Sequence, residues 1–342
     1  MNGDHEDQVS WLSAPVAAGI GFLQRGLGST SVELWRDFAL RGVSVGSTEW
    51  ASAFIAAQIG DIPEGRMLNA GVVASLGHKA RATGGWGYRE DVPEDCDSTA
   101  WVLLAAAAAG TALPAPLVAR SVQFMLDHQD DGGGFVTYRS AAREKMGTPD
   151  RAGWFEPEVS VTAAAVLALL ATGHATSESV RRACAYLSRE RHEDCWMSYW
   201  WNGFAYGTYH TLLALTRACD PGVDAQRAAT SRAVLELRSE SGGWPGKPGG
   251  PDNGFTTSLA ILTLLLADET LQHIDLLVGS ARWLAGLQTD TGAFLPSTEM
   301  LAPGGLKGVD LVVLDHGFMT TACAVKALHE VRERLRSGTT GR

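Results

Sequence analysis

The feature that most constrains this chain is a recurring punctuation: a glycine cluster, an aromatic residue, a variable stretch, then a run that is apolar on every side. The clusters read GGWGY (84–88), DDGGGF (130–135), GGWPG (242–246) and TDTGAF (289–294). Glycine clusters interrupt helices. The apolar runs are STEWASAFIAAQ, STAWVLLAAAAAG, VTAAAVLALLATG, GTYHTLLALTRA, TTSLAILTLLLAD and TTACAVKALHEV, and such all-round apolarity marks buried helices. Segments between them, such as LVARSVQFMLDHQ and IDLLVGSARWLAGLQ, carry one polar face. Thr48, Thr99, Thr162, Thr208, Thr257 and Thr321 mark the run starts, spaced by roughly 45 to 65 positions, the size of a helix-hairpin repeat. A hydroxyl there offers an oxygen to the unpaired N–H groups of a first helical turn, which loop groups or water satisfy equally well.

Six buried helices ringed by six amphipathic ones predict an all-α (α/α)6 barrel. It forms one domain over residues 10–335, with disordered tails at 1–9 and 336–342. Closure gathers the N-termini of the inner helices around one mouth. Periodicity alone also allows an open solenoid; six repeats without a polar capping repeat favour the ring. The small residues Ala105 to Ala109 suit tight packing in either arrangement.

Lys and Arg number 28 against 38 Asp and Glu, a net charge of −10. That balance argues against a nucleic-acid partner and leaves room only for a local basic pocket. Hydrophobic residues at 45% suffice for a large core. The five cysteines, Cys96, Cys184, Cys195, Cys219 and Cys323, are scattered without a CxxC pair, so reduced thiols are expected and no cysteine zinc site is signalled. The start is polar and acidic, and no unbroken apolar stretch reaches about 18 residues. A soluble cytoplasmic protein without a membrane span is expected.

RSVQFMLDHQDDGGGF (120–135) resembles the QW repeat of squalene-hopene and oxidosqualene cyclases: a basic residue, an aromatic–aliphatic pair, Gln129, a glycine turn, then Phe135 in place of tryptophan. RWLAGLQTDTGAF (282–294) is similar to a second such unit, and the Trp-x-x-x-Trp and Tyr-Gly-Thr elements of 185–215 resemble a third. GGWGYREDVPEDCDSTAW (84–101) aligns with the stretch carrying the DxDD(T/S)A-type acid motif of class II terpenoid cyclases. The resemblance spans roughly residues 45 to 330 and implies one catalytic-type barrel.

By that resemblance Asp97 is the acid that protonates an alkene or epoxide to start cyclisation of an isoprenoid or related precursor. Asp95 supports it, and Ser98, in the place of the motif's last aspartate, fixes local geometry with Thr99. An alkene is a very poor base, so its acid must stay neutral and be held rigidly. Two carboxylates in a dry pocket resist double ionisation, which raises one pKa. Helix N-termini work the other way, favouring the anion. Trp86, Trp101, Trp154, Phe155, Trp196, Trp200, Trp201, Tyr206, Tyr209, Phe255 and Phe318 gather near the turns and inner-helix starts. As a cluster they are candidates to shelter a carbocation by cation–π attraction; any one alone is as well explained by packing. Trp244, His210 and His316 join them as substrate-contact candidates.

The chain departs from the pattern in two ways. The histidine that supports the acid in hopene cyclases falls on Ala164, and there is length for one barrel where most class II cyclases enclose substrate between two. A small hydrophobic substrate, a covering loop (139–156 or 295–314), self-association or a second-barrel partner chain are the ways to close the pocket. No cofactor is expected. Magnesium enters only for a diphosphate substrate, with Arg89, Arg139, Arg143, Lys145, Arg151, Lys247 or Lys307 as candidate phosphate ligands. Zinc as in protein prenyltransferases needs an Asp-x-Cys where this chain has Asp252 and Gly254, and the thioester of complement-like barrels needs a Cys/Gln pairing that is not present. Two alternatives stand beside cyclisation: another acid–base ring closure or isomerisation on a non-terpenoid intermediate, and a non-catalytic binding barrel.

Overall fold

A computed structural model describes residues 9–27, 34–38, 46–142, 152–247, 249–267, 272–297, 300–302, 311–313 and 315–339. Among the described residues, twelve α-helices alternate between two rings. The inner ring is α2 (Glu49–Ile59), α4 (Cys96–Ala108), α6 (Val159–Ala171), α8 (Ala205–Arg217), α10 (Gly254–Ala267) and α12 (Phe318–Thr339). The outer ring is α1 (Ser13–Gly26), α3 (Arg66–His78), α5 (Ala115–Leu126), α7 (Glu178–Arg189), α9 (Val223–Glu236) and α11 (Ile274–Ala285). Each inner helix packs on the next, and α12 packs back onto α2. That last contact closes the ring and decides for the barrel over the open solenoid. The final helix runs to Thr339, beyond the expected domain end at 335.

The hydroxyl near each inner-helix start has a different task from the expected capping. Thr99, Thr162, Thr208, Thr257 and Thr321 all stand at the fourth helical position, where each Oγ1 accepts the backbone N–H of the aromatic residue that ends a preceding turn, a glycine turn in every case but that of Trp196, whose turn carries Glu193 and Asp194 at positive φ. The partners are Trp86 at 3.1 Å, Phe135 at 2.8 Å, Trp196 at 3.0 Å, Trp244 at 3.0 Å and Phe294 at 3.0 Å. In the first repeat Thr48 is the N-cap and makes no side-chain cap bond; Ser52 takes the fourth position and donates to the Trp35 carbonyl. Each aromatic residue is buried between the two rings. The indoles of Trp35, Trp86, Trp196 and Trp244 donate to the carbonyls of Leu23, Leu76, Leu187 and Val234, in the last turn or so of the preceding outer helix, where carbonyls lack helical partners.

The two QW-like glutamines stitch the outer ring. Gln129 Nε2 donates to Gly133 and Ser179, and Gln288 Nε2 donates to Gly292 and to Pro15 of α1. The turns need glycine: Gly292 has φ +83°, and a Cβ there would meet the Ala18 carbonyl oxygen at 2.3 Å. Because Gln288 joins the last outer helix to the first, Gln288→Ala is expected to destabilise the barrel by about 1–2 kcal/mol. The measurement is a urea unfolding midpoint, and an unchanged midpoint would remove the tie from the account of closure.

Three two-stranded ribbons lie in the loops that lead into inner helices: β1 (Trp86–Gly87) with β2 (Glu94–Asp95), β3 (Phe135–Val136) with β4 (Pro157–Glu158), and β5 (Met300–Ala302) with β6 (Leu311–Val313). They place the loops on the mouth side. Residues 1–8 and 340–342 of the expected tails lie outside the described residues.

Candidate active site

Counting each inner helix from its first residue puts the interior into register. The second positions are Trp50, Asp97, Ser160, Tyr206, Phe255 and Met319; the sixth are Phe54, Trp101, Ala164, His210, Leu259 and Cys323. Positions four apart share a face, about one helical turn apart in depth. The rings meet across inner helices that are not neighbours in the ring, Trp101 with His210 at 5.2 Å, Phe54 with Tyr206 at 6.0 Å and Phe54 with His210 at 6.0 Å. These two layers therefore face the barrel axis, while the fourth-position hydroxyls face the outer ring.

Asp97 sits in the upper layer. The indole N–H of Trp50 donates to its Oδ2 at 2.7 Å, whereas Oδ1 is enclosed and unpaired. Asp97 is half-buried, between Trp50 and Trp101. Asp95, the N-cap of α4, accepts the Ser98 backbone N–H on Oδ1 and the Ser98 hydroxyl on Oδ2, both at 2.7 Å. Burial raises Asp95 to about 7, against the Ser98 hydrogen bonds that lower it. Burial and then the charge of Asp95 raise Asp97 well above the ordinary carboxylate range, with Trp50 pulling the other way.

Both oxygens of Asp95 receive donors, which suits the anion. Asp97 has a donor on Oδ2 alone and a raised pKa, which favours its neutral form. Burial thus outweighs the helix N-terminus, whose field favours an anion.

Three further polar atoms there are buried without a hydrogen-bond partner: Trp101 Nε1, the Tyr206 hydroxyl and His210 Nε2. The Trp101 indole lies near enough to bias the ionisation of Asp97 and Tyr206, yet its geometry makes a formed hydrogen bond with neither. Trp201 covers the upper layer, stacked on Tyr206 at 4.1 Å and 13° and lying 5.3 Å from Phe255 and 6.0 Å from Trp50. The β5–β6 ribbon, part of the loop expected to cover the mouth, bridges Met300 to Trp201 and donates from Leu301 N to the Trp200 carbonyl at 2.8 Å. On the other candidate loop, Trp154 lies 5.2 Å from Trp200, and Phe155 lies 6.3 Å from Tyr138. The Trp200 indole donates to Thr137. These residues form an aromatic rim.

The structure brings together Asp95, Asp97, Ser98, Trp101, Tyr206, His210 and Phe255, with Trp154, Phe155 and Trp200 at the rim. It places others elsewhere. Trp86, Trp196 and Trp244 are plugs between the rings, and Thr99 is the latch on Trp86, its hydroxyl donating to the Asp95 carbonyl. Tyr209 stands next to His210, ring centroids 4.9 Å apart, toward Lys326 and Glu330. Phe318 stacks on Phe22 of α1 at 5.1 Å. The His316 side chain is 48% exposed and its backbone N–H donates to Asp37. Trp50 and Phe54 were not among the sequence candidates, though both follow from the register.

Of the candidate phosphate ligands, Arg89 pairs with Asp91, Arg139 stands 3.8 Å from Asp127 and Lys247 is exposed. Arg143, Lys145, Arg151 and Lys307 lie outside the described residues. Asp252 accepts the hydroxyls of Ser239 and Ser241. A separate hollow of about 470 Å³, lined by Asp61, Glu64, His329, Arg332 and Glu333 among others, lies at the opposite end of the barrel.

Residues 73–194 match the family model of the squalene-hopene cyclase C-terminal domain, and residues 188–336 match that of the prenyltransferase alpha-alpha toroid domain. With the closed double ring, these matches show a single-barrel alpha-alpha toroid whose parts are similar to the squalene-hopene cyclase C-terminal domain and to the prenyltransferase toroid. Among solved structures it is similar to the type II terpene cyclase MstE from Scytonema, with 21% identity over 95% of this chain and 99% of that chain and a TM-score of 0.81. A protein from Actinoplanes matches with 25% identity over 94% and 99% of the two chains and a TM-score of 0.80. The ent-copalyl diphosphate synthase from Streptomyces platensis matches with 17% identity, 85% of this chain covering 52% of that one, and a TM-score of 0.62. No curated protein sequence matches the chain.

Proposed function

We propose that this protein is a class II terpenoid cyclase-like enzyme in which Asp97 protonates the terminal alkene or epoxide of a prenyl chain and so starts its cyclisation. The observation that carries this reading is the Asp97 carboxyl, its pKa raised by burial and by Asp95, with one oxygen tied to Trp50 and the other enclosed and unpaired. Asp95 holds the negative charge of the pair, and Ser98 holds Asp95. After proton transfer the positive charge moves onto the prenyl chain among Trp50, Phe54, Trp101, Tyr206 and Phe255, whose ring faces each attract it by about 0.5–2 kcal/mol.

The similarity to MstE, one structure of which holds geranylgeranyl dihydroxybenzoate, supports a long prenyl chain as the reacting part. That 95% of this chain covers 99% of the MstE chain supports a cyclase of this length. Proton transfer needs no cofactor; magnesium would accompany a diphosphate head group only. Among the described residues no helix is long and apolar enough to cross a membrane, and we place the enzyme in the cytoplasm.

The test is incubation with geranylgeranyl diphosphate, with and without magnesium, and with geranylgeranyl dihydroxybenzoate, squalene and oxidosqualene. Mass spectrometry is expected to show a cyclic product of unchanged mass from at least one of them. Failure of every substrate would remove cyclisation as the reading, and binding without turnover would favour the non-catalytic barrel.

A further inference from the structure

The barrel holds a second proton-active group for which initiation has no use. His210 is 1% exposed and stands at the sixth position of α8, one turn below Tyr206. Its Nδ1 lies 2.9 Å from the Tyr206 backbone carbonyl. A carbonyl only accepts, so Nδ1 carries the hydrogen and Nε2 presents a bare lone pair. That Nε2 is enclosed and has no hydrogen-bond partner. Around the imidazole stand Trp101 at 5.2 Å, Phe54 at 6.0 Å, Tyr206 at 4.3 Å and Tyr209 at 4.9 Å. Burial lowers its pKa to about 4, so it is neutral at pH 7.

A buried acceptor without a donor is costly. Hydrophobic replacement would relieve that cost, as Leu259 and Ala164 do at the same register position on neighbouring inner helices. The lower layer is where a cation generated beside Asp97 arrives after ring formation carries charge away from the protonated end. We propose, resting on the reading above, that Nε2 of His210 is the base that ends the reaction. The C–H bond on the carbon next to the cationic centre breaks, its electron pair becomes the π bond of an alkene, and the proton passes to Nε2, leaving an imidazolium. Asp97 has lost one proton and His210 has gained one, so the product is an isomer of the substrate. Return of that proton to Asp97 resets the site. A weak base suffices, because a C–H bond next to a carbocation is a far stronger acid than imidazolium.

The test separates this role from cyclisation itself. Two cationic probes, N,N-dimethyldodecylamine and dodecyltrimethylammonium, differ in that only the first, protonated at pH 7, carries an N–H. The rings and Asp95 attract both; only the N–H calls for an acceptor. By calorimetry the wild-type protein is expected to bind the tertiary amine about tenfold more tightly than the quaternary one, and His210→Phe to bring the ratio near one. A preference that persists in the variant, or one absent from the wild type, overturns the proposal. Should the variant fail to fold, histidine-labelled wild-type protein gives the answer. Long-range proton–nitrogen spectra are expected to show Nε2 without a proton and shifted by the tertiary probe alone; a protonated Nε2 in the free protein overturns it.

On any substrate that the wild type cyclises, His210→Phe is expected to lose the native alkene as main product in favour of isomeric alkenes or a product heavier by one water. Loss of all turnover without a new product would instead make His210 a support of Asp97. If the wild type cyclises nothing, the reading of function fails while the probe ratio still decides whether Nε2 is an open acceptor.

Discussion

Asp97→Asn is expected to cut turnover by at least about 10³-fold while leaving the barrel folded by circular dichroism. The amide keeps the size of the carboxyl and can still accept the Trp50 N–H, but it has no acidic proton to give. The same substitution makes a stability prediction that needs no substrate. In the unfolded chain Asp97 ionises near the usual carboxylate value, about 3.9; in the barrel, burial and Asp95 raise it well above that. A raised folded pKa contributes stability that is fully present below the unfolded value and is lost as pH rises toward the folded one. Asparagine carries no such penalty. The variant is expected to match the wild type near pH 4 and to exceed it progressively above that. The slope is about 1.4 kcal/mol per pH unit until the folded pKa is reached. Urea unfolding of both proteins from pH 4 to 8 measures it. A flat difference would show that Asp97 ionises freely in the barrel and would take away the neutral acid on which initiation depends.

The carboxylate pair was legible in the sequence because it is local: Asp95, Asp97 and Ser98 lie within one helical start, where spacing alone brings them together, while its reading as an acid came from the family resemblance. The repeat was legible for a similar reason, since a run apolar on all sides must be buried wherever the chain goes. Ring closure was read from the number of repeats and the lack of a capping repeat, but the contacts that make it, α2 with α12 and Gln288 with Pro15, join distant parts of the chain and could not be named. The sorting of aromatic residues was lost to a choice of origin. Taking Thr48 rather than Ser52 as the first repeat's hydroxyl shifts that run by four positions and hides Trp50. With Ser52 in place, the residues two before and two after each latching hydroxyl face the axis, which selects Trp50, Phe54, Trp101, Tyr206, His210 and Phe255. The aromatic that ends each preceding turn is then assigned to the space between the rings. Trp86, Trp196 and Trp244 resembled cage residues in composition; only the latch distinguishes them.

This assignment makes Trp196 the sharper stability test. Its ring is fully buried, its backbone N–H is held by Thr208, and its indole N–H satisfies the Leu187 carbonyl at 2.7 Å near the end of α7. Trp196→Ala removes a large side chain from between two helices, at a cost of about 3–5 kcal/mol, and strands a carbonyl, at about 1–3 kcal/mol more. Against a typical domain stability of roughly 5–15 kcal/mol, the variant is expected to be largely unfolded or to melt far below the wild type. Trp196→Phe should be much milder, because the protein itself uses Phe135 and Phe294 at two equivalent turns, their backbone N–H groups held by Thr162 and Thr321 in the same way. Only the hydrogen bond to Leu187 and part of the ring volume are lost, and the product of any reaction stays the same. Thermal melts of both variants, with product analysis of the phenylalanine form, separate the two roles: a Trp196 that belonged to the cation's cage would show little change in melting and a changed product.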